Sequence, residues 1–195
     1  MRKIPREFEN PLDDILIDWA DQMSVILRAT NHSPNVITTY SFVSALAALW
    51  ALALGNIGWF GVLWALQYFW DCVDGHYARK YKMVTQFGDV YDHITDIIGT
   101  VGLAFLVYTK YHPSPWIYVI IGILAILLGI HTGCQQKVYN QQQSQNQQEE
   151  ETMDSFKNMC QDTSWIRWTR FFGFGTFQVA IVATVMYLHH KKTSS

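Results

Sequence analysis

Charged side chains are missing from several long stretches of this chain, and those gaps give its first structural reading. No Asp, Glu, Lys or Arg lies between Arg28 and Asp71, a run of 42 residues broken near its middle by Gly55, Asn56 and Gly58. About 20 apolar residues cross a bilayer as a helix, so the run predicts two spans joined by a tight turn. A second gap, Lys110 to Lys137, is entered through His112-Pro113-Ser114-Pro115 and carries Trp116-Ile117-Tyr118-Val119-Ile120-Ile121, another span. Thirteen uncharged residues follow Asp96 up to Thr109, and with a start near Gly88 that helix is also long enough, although its first turns carry acids. Eighteen uncharged residues from Phe171 to Leu188 predict the last. The expected fold class is all-α, a polytopic transmembrane helix bundle with five spans. A soluble bundle is disfavoured by the length of the uncharged runs.

Two segments follow other patterns. Asn10-Pro11 reads as a helix start with Pro at the first helical position. Leu12, Ile15, Trp19, Met23 and Ile26 then recur every three or four residues, opposed by Asp13, Asp14, Asp18 and Asp21, which predicts an amphipathic surface helix over 11–28. Its acidic face makes attraction to anionic lipid a poor explanation for it. Residues 141–151, a Gln run closed by Glu149-Glu150-Glu151, read as a flexible polar loop. The 195 residues suit one membrane-embedded domain, 1–195.

Composition narrows the function. A net charge of -2 offers no basic face, so nucleic acid is not an expected partner. If the N-terminus, the loop from Arg79 to Lys82 and the segment after Lys137 share one side, that side holds eleven of the fourteen Lys and Arg, and the positive-inside rule makes it cytoplasmic. Five spans leave His189-His190-Lys191-Lys192 on the opposite side. Cys72, Cys134 and Cys160 fit neither a disulfide framework nor a paired metal motif, and are expected to be reduced and packed. The first nine residues lack the apolar core of a signal peptide.

The candidate chemistry lies between Asp71 and Asp96. Asp71 and Asp74 share one face of a helix end; Gly88, Asp92 and Asp96, four apart, share a face of the next. A short basic loop joins the two, so the helices are antiparallel neighbours and their acids can converge at the edge of the bilayer. Carboxylates gathered at membrane depth repel one another unless cations neutralise them. One or two divalent ions would do so, and all-oxygen ligands favour Mg2+, Mn2+ or Ca2+ over Zn2+. Such a site serves phosphoryl chemistry. Gly75 and Ala78 would admit a ligand close to the backbone, and Arg79 would offer paired donors to phosphate.

Together these residues, Asp71-x2-Asp74-Gly75-x2-Ala78-Arg79-x8-Gly88-x3-Asp92-x3-Asp96, match the CDP-alcohol phosphotransferase signature at every specified position. The chain resembles that family, nearest to the phosphatidylinositol synthase type through Asp74-Gly75-His76, Phe87-Gly88 and Thr95-Asp96, although those enzymes carry Arg where Ile97 stands here. The resemblance implies two Mg2+ or Mn2+ ions held by Asp71, Asp74 and Asp92, with Asp96 at the same site as catalytic base. It implies that Asp71, Gly75, Ala78, Arg79 and Gly88 hold the nucleotide and diphosphate. The implied reaction moves a substituted phosphate from a CDP-alcohol, here CDP-diacylglycerol, to an alcohol such as inositol and releases CMP. The alternatives are glycerol 3-phosphate or serine as acceptor, a CDP-choline or CDP-ethanolamine:diacylglycerol transfer, and a non-catalytic scaffold or ion-binding protein of the same fold. Six spans, a homodimer and a site on the cytoplasmic face, of the endoplasmic reticulum or a bacterial inner membrane, are usual in the family. Lys137, Arg167 and Arg170 are candidate acceptor-binding residues, with Gln135 and Gln136 near them. Asp89 and His93 flank the acids.

Overall fold

The computed structural model describes residues 2–142 and 156–194. Apart from 3-10 turns at Arg6–Phe8, at 156–159 and two more between Thr163 and Phe172, and the short connections, the described residues fold into helices: α1 Pro11–Ala29, α2 Pro34–Ala53, α3 Ile57–Lys80, α4 Gln86–Tyr111, α5 Pro115–Gln142, the single turn α6 Ile166–Thr169, and α7 Phe174–Thr193. Their boundaries follow local chemistry. The Asn10 side chain accepts from the Leu12 N–H at 3.0 Å, and Pro11 takes the first helical position. Between α2 and α3 the chain turns through Gly55 at φ +81°, which a Cβ would strain, and the Asn56 side chain caps α3. Thr85 Oγ1 accepts from the Gly88 N–H at 3.1 Å and starts α4.

Among the described residues four elements are long and apolar enough to cross a membrane: α2, α4, α5 and the run from Thr163 to Thr193 that contains α7. The fifth expected span, α3, has the length, about 36 Å for its 24 residues, but not the apolarity. Gln67, Tyr68, Asp71 and Asp74 interrupt it. It packs against α1, α2 and α7, while Trp59, Val62 and Leu66 in its first half stay exposed. The faces of α4 and α5 that leave Ile97, Val101, Phe105, Ile120 and Ile126 exposed are of the composition a bilayer covers.

Three clusters tie the helices. Ala48, Leu52, Phe60, Trp64, Leu103 and Val185 pack α2, α3, α4 and α7 together toward the α2–α3 turn. Ala20, Leu27, Ile37, Val73 and Tyr77 seat α1 on α2 and α3. Ile4, Cys134, Val138, Cys160 and Ile166 join the N-terminal segment to α5 and α6.

One expectation changes here. Cys134 and Cys160, 26 apart in sequence, form a disulfide, leaving Cys72 as the free thiol; the packing of residues 156–162 along α5 brings the pair together. The acids of α1 differ in setting: Asp13 is buried, Arg2 and Arg6 pair with Asp14 and Asp18 at 2.6–2.9 Å, and Asp21 stays exposed. The apolar Ile15, Trp19 and Ile26 stay outside. The expected polar loop over 141–151 lies outside the described residues except for Gln141 and Gln142, which end α5.

Candidate functional site

The α3–α4 hairpin places the acids as the spacing predicts. Carboxylate oxygens of Asp71, Asp74 and Asp92 lie within 4.8 Å of one another, with Asp74 buried and the other two half-buried. Asp96, one turn further along α4, lines the same cavity of about 590 Å³. Asp74 Oδ2 and Asp92 Oδ1 are buried and accept no hydrogen bond. Orphaned carboxylate oxygens from two helices, with no His or Cys in the donor set, fit a hard divalent cation. The residues present are thus suited to the metal that the signature implies.

Beside the acids, Gly75, Ala78, Arg79 and Gly88 line the same cavity. A Cβ on Gly75 would sit 3.3 Å from the Arg79 guanidinium, so the glycine leaves room for that side chain to fold back along α3. A Cβ on Gly88 would come within 3.1 Å of both Asn35 Oδ1 and Thr85 Oγ1, where α4 passes the start of α2. Asp89 and His93 also face the cavity, His93 Nδ1 lying 2.8 Å from the Asp89 carbonyl oxygen.

The three candidate acceptor residues lie elsewhere. Lys137 donates to the Cys160 carbonyl, Arg170 donates to the Glu7 carbonyl and stacks on Phe171, and Arg167 is exposed. None lines the cavity: Lys137 and Arg170 are engaged by backbone carbonyls of the segments that wrap α5 and α1, and Arg167 stays on the outside. Gln135 does line it; Gln136 is fully buried away from it.

Other cavity residues escape a reading of charge and motif. Arg2, Lys3, Glu9 and Asp13 reach it from the N-terminal segment and α1, Asn35, Thr38 and Ser41 from α2, Gln67 from α3, and Gln178 from α7. Asp13 is visible in the sequence only as one acid of the amphipathic helix, and Gln67 as an amide in an otherwise apolar run, four residues before Asp71 and so on its face. Around the rim, burial raises the Asp13 carboxyl to about 6 despite the hydrogen bond from Tyr68, and burial, with the nearby charge of Asp13, raises Glu9 to about 7. Asp21, bonded to Lys80 and His76, is lowered to about 2. That carboxylate fastens α1 to the last turns of α3, through His76 Nε2 at 2.8 Å and Lys80 Nζ at 2.7 Å.

Comparison with known proteins agrees with the motif. A family model described as CDP-alcohol phosphatidyltransferase matches residues 31–189. Over 111 residues the chain is 31% identical to the CDP-diacylglycerol--inositol 3-phosphatidyltransferase 1 of Arabidopsis thaliana, covering 57% of this chain and 45% of that protein. It is 40% identical over 72 residues to the CDP-diacylglycerol--inositol 3-phosphatidyltransferase of Drosophila melanogaster, covering 36% and 31%. It is 34% identical over 116 residues to a CDP-diacylglycerol--glycerol-3-phosphate 3-phosphatidyltransferase of Mycoplasma pneumoniae, covering 58% and 49%. The chain thus spans less than half the length of the curated relatives it matches. No solved structure matches it.

Proposed function

The chain belongs to the CDP-alcohol phosphatidyltransferase family, and on that premise we propose that it transfers the phosphatidyl group of CDP-diacylglycerol to a hydroxyl of inositol, releasing CMP. The observation that carries this reading is the meeting of Asp71, Asp74 and Asp92 in one cavity with Asp96 and Arg79.

In this reading Asp71, Asp74 and Asp92 hold two Mg2+ or Mn2+ ions, which when bound neutralise the diphosphate and the departing CMP. Arg79 donates to the diphosphate, and Gly75, Ala78 and Gly88 let it approach the backbone. Asp96 takes the proton from the acceptor hydroxyl as its oxygen forms the new bond to phosphorus. The bond between that phosphorus and the bridging oxygen breaks, and the electron pair leaves with CMP. The Lys and Arg distribution supports a site on the cytoplasmic face, and the family pattern supports a homodimer of single-domain chains as the working unit. Identity to the Mycoplasma pneumoniae protein supports glycerol 3-phosphate as the second reading of the acceptor.

The test is to incubate membranes containing the protein with CDP-diacylglycerol, Mg2+ and, separately, labelled inositol, glycerol 3-phosphate and serine. Labelled phosphatidylinositol with stoichiometric CMP is expected, and Asp96→Asn should abolish both. Product from glycerol 3-phosphate alone would move the assignment to the second reading. No lipid product from any acceptor would sink the enzymatic one.

A further inference from the structure

Two glutamines line the membrane side of the cavity, and the reaction as described gives neither a task. The Trp64 indole Nε1 donates to Gln178 Oε1 at 2.8 Å. An indole N–H can only donate, so this bond fixes the amide of Gln178 with its oxygen toward Trp64 and its NH2 turned away. Among the described residues that NH2 has no partner. Gln67, three residues after Trp64 and on the same face of α3, is only 7% exposed; its Nε2 donates to Ser41 Oγ at 3.3 Å and its Oε1 is buried without a partner. A buried amide oxygen such as that of Gln67 is costly while unpaired, and the half-buried Gln178 NH2 is a donor already oriented for a ligand.

Their depth limits what that ligand can be. Gln67 and Trp64 precede Asp71 by four and seven residues, which puts them about 6 Å and about 10 Å further along α3 from the end that carries Arg79. Phe42, Ala45, Phe177 and Ile181 complete the surroundings. These neighbours offer no cation to a phosphate or carboxylate. The group bound at the Gln178 NH2 must accept a hydrogen bond, carry no charge, lie a few bonds from the phosphorus held at the acids, and continue into apolar chain.

We propose that the Gln178 amide, locked by Trp64, binds the carbonyl oxygen of an ester-linked acyl chain on the lipid half of the donor. The inference rests on the functional reading above and adds the part of the donor that the four acids do not touch. Gln178 is here a specificity residue: it distinguishes an acyl ester from an ether, which presents no carbonyl.

The experiment measures binding of CDP-dioleoylglycerol, its diether analogue and CDP to the full chain in a detergent free of esters, with Mg2+ present. The wild type is expected to bind the diester about five- to tenfold more tightly than the diether, the loss of one buried hydrogen bond. Gln178→Leu and the less disruptive Gln178→Met should bind both lipids equally while keeping the wild-type affinity for CDP. Trp64→Phe, which unlocks the amide but retains it, should give an intermediate preference. Equal binding of the two lipids by the wild type, or an undiminished preference in both Gln178 variants, overturns the subsite alone. Failure of the wild type to bind CDP overturns the functional reading and the subsite together.

Discussion

Tyr68 donates its hydroxyl proton to Asp13 across 2.6 Å, joining the surface helix α1 to the helix that carries the first two acids of the site. Asp13 is buried there, and a Cβ on Gly175 would fall 2.3 Å from its Oδ1, so α1, α3 and α7 meet at one carboxyl group. Because the folded Asp13 carboxyl is raised to about 6, and Glu9 to about 7, the folded chain binds more protons than the unfolded one between about pH 4 and 7. This contribution is whole below the unfolded values and is lost as pH rises through the folded ones. The thermal midpoint of the purified protein should therefore fall between pH 5 and pH 8, and Asp13→Asn with Glu9→Gln should flatten the profile. Tyr68→Phe should cost about 1–3 kcal/mol at pH 8, where Asp13 is ionised. A midpoint that rises over this range, identically in the double variant, would count against the assignment.

Three carboxylates with oxygens within 4.8 Å of one another repel in the absence of a cation. In EDTA, Asp71→Asn should melt higher than the wild type, by of order 1–3 kcal/mol. Mg2+ should raise the midpoint of the wild type and leave the variant nearly unmoved, and transferase activity of the variant should fall by at least ~100-fold. Calorimetry with and without Mg2+ separates these effects; equal Mg2+ stabilisation of both proteins would show that Asp71 does not hold the ion.

Gly75 lies inside α3, where alanine is ordinarily the more stable residue by roughly 0.5–1 kcal/mol. The atoms that its Cβ would meet belong to the end of the Arg79 side chain, which can move. Gly75→Ala is thus expected to keep or slightly raise the melting point while lowering activity about tenfold, as a displaced Arg79 loses one charge-assisted hydrogen bond to the diphosphate. Wild-type activity at an unchanged melting point would show that the position of Arg79 is not critical.

The disulfide closes a loop between residues 26 apart and ties Phe156, which lines the cavity, to α5. Reduction, or Cys134→Ser, should lower stability by about 2–4 kcal/mol on the loop-entropy argument. Thiol titration of the unreduced, denatured protein should find one free thiol, Cys72. Finding three would refute the pairing.

How much of this was legible in the sequence depends on the range of the interactions involved. The helices, the amphipathic character of α1 and the hairpin of acids follow from periods of three and four residues and from short turns, so Asp71, Asp74, Asp92 and Asp96 could be grouped before any coordinates. A site whose members lie within 26 positions on two adjoining helices is nearly a local feature. Uncharged run length likewise marks α2, α4, α5 and α7 as candidate spans, since the bilayer sets a length that one helix must satisfy by itself.

Where a side chain ended up on packing between distant segments, only the tertiary structure could decide. Asp13 reads as one acid among four on a polar face, yet docking of α1 against Tyr68 and Gly175 buries it. Lys137, Arg167 and Arg170 read as cations waiting for an anionic acceptor, but the wrap of residues 156–172 uses Lys137 and Arg170 on backbone carbonyls and leaves Arg167 outside. Cys134 and Cys160 show no pairing signal in their spacing. Gln178 gains its orientation from an indole 114 positions away. Hydrogen-bond direction and burial at such places are properties of the assembled bundle, because no local period relates the partners; the acids needed only their own two helices.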